Sequence, residues 1–177
     1  MVRSATSSST PEAYDRSIAQ LLHTDFYRAV SESHRRLIRT SITVYLEERR
    51  VGLRYPDYGF VVFGMAKGYE GFLKEYLFRI GLLSDDGYFD RGFRIGRALN
   101  PDVSLNQRDR FWLYDDLANR CGATVARQVW DAWLECRNQV FHFYPGKDSP
   151  MTLRQAGEKI LQLASAMEAA YACQLPK

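Results

Sequence analysis

The stretch FVVFGMAKGYEGFLKEYLFRI, residues 60–80, decides the fold class. Its apolar side chains recur three and four positions apart, as they do on the buried side of a helix. They are Phe63, Ala66, Tyr69, Phe72, Leu73, Tyr76, Leu77 and Ile80. Gly81 and a Ser-Asp-Asp-Gly cluster at 84–87 end the pattern. We therefore predict a helix from Phe60 to Leu83 that is buried over a wide face.

Helical periodicity continues on both sides of this stretch, and proline and glycine separate the blocks. The remaining predicted helices cover 11–50 (with a break near 23–25), 89–99, 106–120, 123–141 and 152–173. Strand-like alternation is lacking, so the predicted fold is all-α, a helical bundle. We expect a disordered tail at 1–10, an N-terminal helical arm at 11–55 and the functional domain at 56–177.

Composition excludes several classes of protein. The 177 residues are 46% hydrophobic and 25% charged, as in a soluble globular domain. No apolar run approaches the roughly 20 residues that cross a bilayer, and residues 1–10 lack a signal-peptide core, so a cytoplasmic location is expected. Cys121, Cys136 and Cys173 form no Cys-x-x-Cys pair, so we expect three thiols without zinc or a disulfide. We expect neither a metal nor a cofactor.

One segment combines basic and aromatic side chains. Arg91, Arg94 and Arg97 alternate with Tyr88 and Phe93 in a chain whose net charge is +3. Arginines bind phosphates and aromatic rings stack on bases, so this segment is a candidate RNA-binding surface. A solvated helical face fits the same residues.

The candidate chemistry lies in RNQVFHFY, residues 137–144. Histidine moves protons near neutral pH, and arginine stabilises the charge on a phosphate. RNA supplies its own nucleophile, the 2′-hydroxyl. Arg137 and His142 stand roughly 140° apart on a regular helix, so they converge only if the helix ends or tightens near Phe141. Pro145 and Gly146 favour such an end. A capping histidine and a surface arginine would fit the spacing equally well.

This stretch resembles the HEPN motif, in which an arginine, often followed by asparagine, precedes a histidine by four to six positions. A second stretch, residues 60–74, is similar to the core helix of the RNase LS (RnlA/LsoA-type) toxins, which carry a basic residue and a glutamate before Gly-Phe-Leu. Lys67 and Glu70 match those two positions, although the basic residue is typically arginine. The resemblance covers about residues 58–171, and the toxins of that family are longer, with additional N-terminal domains.

The resemblance implies a metal-independent endoribonuclease toxin of a toxin–antitoxin or antiphage system. It implies that Arg137 and His142 are catalytic, with Glu70 and Lys67 supporting them and Asn138 orienting Arg137 or the phosphate. Tyr144 matches a tyrosine that a partner enzyme nucleotidylates in one HEPN toxin type. The expected partners are RNA, an antitoxin and a second copy of the chain, with Trp130, Trp133, Phe141 and Phe143 at the seam. Two alternatives remain: a non-catalytic HEPN RNA-binding or dimerisation module, and a helical DNA-binding regulator that uses residues 89–99.

Overall fold

The computed structural model describes residues 11–143, 145–146 and 149–174, and in these ranges the fold is all-α without strands. The expected tail at 1–10 and Tyr144 lie outside the described residues. The helices, in chain order, are α1 (Pro11–Gln20), α2 (Asp25–Ala29), α3 (Glu32–Val51), α4 (Gly59–Arg79), α5 (Asp85–Phe89), α6 (Ile95–Ala98), α7 (Tyr114–Cys121), α8 (Ala123–Trp133), α9 (Gln139–Phe141) and α10 (Leu153–Gln174). A π-helical turn, Leu134–Asn138, joins α8 to α9. We call residues 123–141 the motif helix.

Helix α4 is the centre of the fold, as its sequence predicts. Eleven of its 21 residues are buried, including Val62, Tyr69 and Leu77. Helices α3, α10 and the motif helix pack around it. The buried Tyr69 hydroxyl donates a hydrogen bond to the Val129 carbonyl oxygen (2.8 Å), which ties α4 to α8. Because α4 is buried on several sides, it holds the side chains of its exposed side in fixed positions.

Glycines let α3 and α4 approach closely. A Cβ at Gly64 would lie 2.6 Å from the Leu37 carbonyl oxygen, and one at Gly68 would lie 3.1 Å from the Ile38 side chain. At the same crossing the Ser41 hydroxyl accepts a hydrogen bond from the Met65 amide (2.7 Å). This close contact explains why a buried helix carries residues that are poor helix formers.

Residues 11–55 share the core of the rest of the protein. Ile18, Ile38, Ile42 and Tyr45 are buried in the same cluster as the residues of α4 and α10. The expected break near 23–25 is present, since a 3₁₀ turn at Leu21–His23 separates α1 from α2. A second break separates α2 from α3. The packing therefore makes α3 a central element of the bundle rather than a separate arm.

Between α4 and α8 the structure differs from the two helices that we predicted. Instead of one helix at 89–99, α5 ends at Phe89 and the four-residue α6 begins at Ile95. Residues 106–113 are largely irregular, because Asp109 accepts a hydrogen bond from the Phe111 amide and the Leu113 amide bonds to the Ala98 carbonyl. The recognition helix that a DNA-binding regulator would need at 89–99 is therefore not formed.

The cysteine prediction was wrong for one pair. Cys121 at the end of α7 and Cys173 near the end of α10 form a disulfide, with their Cα atoms 5.6 Å apart. The two positions are separated by 52 residues, so only the packing of α7 beside α10 brings them together. Cys136 is a free, buried thiol, and burial raises the pKa of this group to about 12.

Candidate functional site

Four of the predicted site residues line one groove. Lys67 and Glu70 come from the exposed side of α4, and Arg137 and His142 come from the end of the motif helix. Phe63, Ala66 and Phe141 complete the wall of this space of about 320 Å³, which we call the motif groove. The sequence places α4 and the motif region almost 70 residues apart, so the groove is a product of tertiary packing.

The motif helix ends at Phe141, which is one of the two arrangements that we predicted, and before that end it contains a widened turn that we did not predict. In the π turn at 134–138, the Gln139 amide bonds to the Leu134 carbonyl oxygen, five residues earlier. The helix then ends at Phe141, and His142 has an extended backbone (φ −112°, ψ 130°). A π turn and a helix end together change the regular spacing of five residues, and π turns are frequent at functional sites. Arg137 and His142 consequently border the same space.

Two contacts orient Arg137. Its Nε donates a hydrogen bond to Glu70 Oε2 at 3.0 Å, and its guanidinium lies 5.5 Å from the centre of the Trp133 ring. Both members of the ion pair are partly exposed, at 29% for Arg137 and 40% for Glu70. The pair is therefore accessible to a ligand and contributes little to folding stability.

Trp133 is the residue at this site that sequence reasoning misplaced. Together with Trp130 it was expected at a dimer seam, but both are buried and their rings stack at 5.6 Å. Gly96 of α6 packs so closely on Trp133 that a Cβ there would overlap the indole ring. Trp133 is thus held by α6 on one side while it contacts Arg137. In the sequence, a tryptophan within an apolar helix does not indicate that it supports an arginine of the site.

The basic segment borders the groove without lining it. Lys74, one turn after Glu70 on α4, donates to the Asp90 carbonyl oxygen (2.9 Å) and lies over the Phe93 ring. Together with the contact of Gly96 on Trp133, this places residues 90–97 beside the motif groove.

The three arginines of that segment are exposed but differ in their contacts. Arg97 pairs with Asp109 (2.7 Å), and Arg94 donates to the Arg91 carbonyl oxygen (2.9 Å). These contacts support the local loop, and the described residues lining the motif groove do not include Arg91, Arg94 or Arg97.

Asn138 is half-buried in the π turn next to Arg137. It too is absent from the described lining of the groove, so its predicted orienting role would act through Arg137.

Exposed aromatic side chains continue the wall of the groove. Phe63 packs edge-on against Phe141 with ring centres 5.7 Å apart, and Phe60, three residues before Phe63, contacts Tyr55 at 5.3 Å. Phe143 beyond the helix end is 74% exposed. We call Tyr55, Phe60, Phe63, Phe141 and Phe143 the aromatic patch.

A second histidine has a similar set of neighbours but is mostly buried against α4. His34 Nδ1 is 3.3 Å from Glu75 Oε2 and 2.8 Å from Ser31 Oγ, and Glu75 also pairs with Arg79. Burial lowers the pKa of His34 below its ordinary value, and this effect exceeds the opposing attraction of Glu75. A Cβ at Gly71 would overlap the His34 ring, so the ring is packed directly against α4.

No family model, curated protein or solved structure matches this chain. The resemblance to the HEPN family therefore depends on the sequence motifs at 60–74 and 137–144 alone. Across the described ranges, no helix has the length and apolar character needed to span a membrane, and no three His, Cys, Asp or Glu side chains form a group able to hold a metal ion.

Proposed function

We propose that the protein is a metal-independent endoribonuclease of the HEPN type. His142 takes the proton from the 2′-hydroxyl of the RNA, and the 2′-oxygen attacks the adjacent phosphorus. The bond from phosphorus to the 5′-oxygen breaks, and Lys67 or the His142 of a second copy gives a proton to the leaving oxygen. The products are a 2′,3′-cyclic phosphate end and a 5′-hydroxyl end.

The observation that carries the proposal is the shared groove with its paired arginine. The hydrogen bond to Glu70 uses Nε of Arg137, and among the described residues it is the guanidinium's one hydrogen bond. The two terminal nitrogens therefore retain donors for phosphate oxygens. His142 is exposed and lines the same space, so it can reach a phosphate held there.

Glu70 has a positioning role in this proposal. Its carboxylate holds Nε of the Arg137 guanidinium, and the guanidinium lies over the Trp133 ring. Such a fixed guanidinium loses less conformational freedom when the phosphate gathers charge in the transition state. Lys67 adds a positive charge to the same groove, and Arg91, Arg94 and Arg97 would contact the RNA on either side of the cut.

A homodimer with a composite site is part of the proposal. The aromatic patch exposes large apolar rings at the rim of the groove, where they would be covered by the same patch of a second copy. Phe141 and Phe143, which we expected at the seam, are exposed, whereas Trp130 and Trp133 are not available for it. Pairing through this patch would bring two motif grooves together.

The proposed biological role is that of a toxin in a toxin–antitoxin or antiphage system in the cytoplasm. A ribonuclease of this kind would harm its own cell, so an antitoxin protein that covers the groove would be required. The positive residues of the groove, Lys67 and Arg137, would suit an acidic partner surface as well as RNA.

The test is cleavage of total RNA by the pure protein in EDTA, with analysis of the new ends. We expect cuts that leave 2′,3′-cyclic phosphates, and we expect the His142→Ala protein to bind RNA without cutting it. Cleavage that persists in pure His142→Ala protein would overturn the mechanism. RNA binding without cleavage by the wild-type protein would instead favour the non-catalytic module.

A further inference from the structure

A second cavity lies on the other side of His142. It is about 540 Å³ and is formed by the segment before α4, the end of the motif helix and the first half of α10. Its polar lining residues are Asp57, Glu135, Gln139, His142, Ser149, Gln155, Glu158, Lys159 and Gln162. We call this space the polar cavity, and its volume is in the range of small-ligand sites. His142 lines both this cavity and the motif groove.

The two spaces have opposite charge. Apart from His142, which lines both spaces, the described residues of the motif groove carry two positive groups, Lys67 and Arg137, and one carboxylate, Glu70. The described residues of the polar cavity carry three carboxylates and one ammonium group, that of Lys159. A phosphate is therefore favoured in the groove and disfavoured in the cavity, whereas N–H donors are favoured in the cavity.

Part of the cavity wall is a fixed hydrogen-bond network. The Gln162 side chain donates a hydrogen bond to Glu135 (2.8 Å) and accepts one from the Cys136 thiol (3.1 Å). The Lys159 ammonium group lies 3.6 Å from the same Glu135 carboxylate. Lys159 therefore balances Glu135. Of the other two carboxylates, Asp57 accepts hydrogen bonds from the Gly59 and Met151 amides, and Glu158 pairs with Arg154, which is not among the described lining residues of the cavity.

Other residues of the wall offer further polar groups. At the start of α10, Thr152 and Gln155 form a reciprocal cap in which the Gln155 side-chain oxygen accepts from the Thr152 amide (2.8 Å). The Gln155 amide nitrogen is then its remaining hydrogen-bonding group. Gln139 is exposed on α9, and Glu158 pairs on its outer side with Arg154, which is 85% exposed.

We propose that the polar cavity is a base-recognition subsite, and this inference rests on the proposed function. It holds the nucleobase next to the scissile phosphate, with His142 between phosphate and base. Carboxylates accept hydrogen bonds from exocyclic amino groups, and glutamine amides bond to the edges of bases. The subsite therefore selects adenine, cytosine or guanine over uracil, which has no amino group.

The test compares cleavage of oligoribonucleotides that differ in one base beside the cut. For the wild type we expect kcat/KM to be at least fivefold higher with an amino-bearing base than with uracil. The ratio should fall about fivefold, toward 1, in Glu158→Gln or Gln139→Ala, at the level of one base contact. Glu168→Gln and Gln128→Ala are matched controls outside the cavity, and their ratios should equal that of the wild type.

The outcomes separate the subsite from the proposed function. Cleavage without a base preference, or with one that both cavity variants keep, overturns the subsite and leaves the nuclease in place. If no RNA is cut, binding of labelled 2′-O-methyl tetranucleotides is measured by fluorescence anisotropy. If the wild type binds one base more tightly and Glu158→Gln does not, the result supports the subsite without the nuclease. Equal binding of all four bases by the wild type overturns the subsite.

Discussion

The two histidines near α4 have the same kinds of neighbours but different surroundings. His34 lies between Ser31 and Glu75, is mostly buried against α4 and is 17% exposed. His142 lies at a helix end beside an arginine–glutamate pair and is exposed to solvent. In both places a glutamate of α4 provides the carboxylate. Residue type therefore does not distinguish a structural histidine from one that can act on a substrate; access to the ring does.

This difference leads to opposite expectations for substitutions at the two places. Changes around His142 should lower activity and leave stability almost unchanged. Changes around His34 should lower stability and leave the chemistry of the folded molecules intact.

The largest effect is expected for Arg137→Ala. Loss of a preorganised donor to the transition state lowers kcat by about 10²–10³-fold in other enzymes, and we expect that range here. The measurement is single-turnover cleavage of a labelled RNA. Arg127→Ala is the matched control, because Arg127 is an exposed arginine of the same motif helix that pairs with Asp131. Equal losses in the two variants would mean that Arg137 has no special role.

Glu70→Gln should reduce kcat/KM by about tenfold, since the glutamine keeps a hydrogen-bond acceptor but loses the charge that holds Arg137. The loss should appear mainly in kcat if Glu70 positions Arg137 for the transition state. The exposed pair contributes about 0–1 kcal/mol to stability, so the midpoint of denaturant unfolding should barely move. Glu47→Gln, which removes the exposed partner of Arg50, is the control. An activity of Glu70→Gln equal to that of the wild type contradicts the positioning role.

His34→Ala should lower the free energy of unfolding by about 1–3 kcal/mol, because it leaves the half-enclosed Glu75 without one of its partners. Denaturant unfolding measures this loss. Cleavage per folded molecule should be that of the wild type. A stable but inactive His34→Ala protein would reverse the roles that we assign to the two histidines.

The stability of the wild type should depend on pH through His34. Burial lowers the pKa of His34 in the folded protein, so the unfolded chain takes up the proton first. The contribution of neutral His34 to folding stability is fully present above the ordinary histidine pKa of 6.5. It is lost as the pH falls through the lower pKa that His34 has in the folded state. Unfolding curves between pH 7.5 and 5 should show this decline, and it should be smaller in His34→Gln. An identical decline in the two proteins would mean that other groups cause it.

The smallest effect is expected for Lys67→Arg, which restores the arginine typical of the RNase LS toxins. The positive charge is kept and a bidentate donor is added, so cleavage should remain within about threefold of the wild type or increase. Lys67→Met should be slower than Lys67→Arg if the charge matters. Equal rates for these two variants would show that Lys67 has no part in the reaction.

Much of the fold could be predicted from neighbouring residues. The apolar spacing of 60–80 predicts α4, and the length and end of the motif helix follow from its periodicity and from Pro145 and Gly146. The predictions were wrong at 89–113, where the Phe111 amide donates to Asp109 and the Leu113 amide donates to the Ala98 carbonyl in place of helical hydrogen bonds. The local pattern of hydrophobic residues reports neither the side-chain acceptor of the first bond nor the distant partner of the second.

The candidate site was predicted in part. Arg137, His142, Glu70 and Lys67 were selected by their resemblance to a family, and the structure brings them to one groove. Trp133 as the support of Arg137 and the polar cavity beyond His142 were not predicted. The first depends on the packing of α6 against Trp133, and the second depends on the packing of α10 beside the end of the motif helix.

The sequence alone determined the long helices, approximately where they end, and which residues can move protons or bind phosphate. These properties depend on side chains within a few positions of one another, through helical periodicity and capping. Only the tertiary structure decided that His34 is enclosed and His142 open, that Cys121 meets Cys173, and that Arg137 pairs with Glu70. Those outcomes depend on which helices pack side by side, and that packing is a property of the whole core.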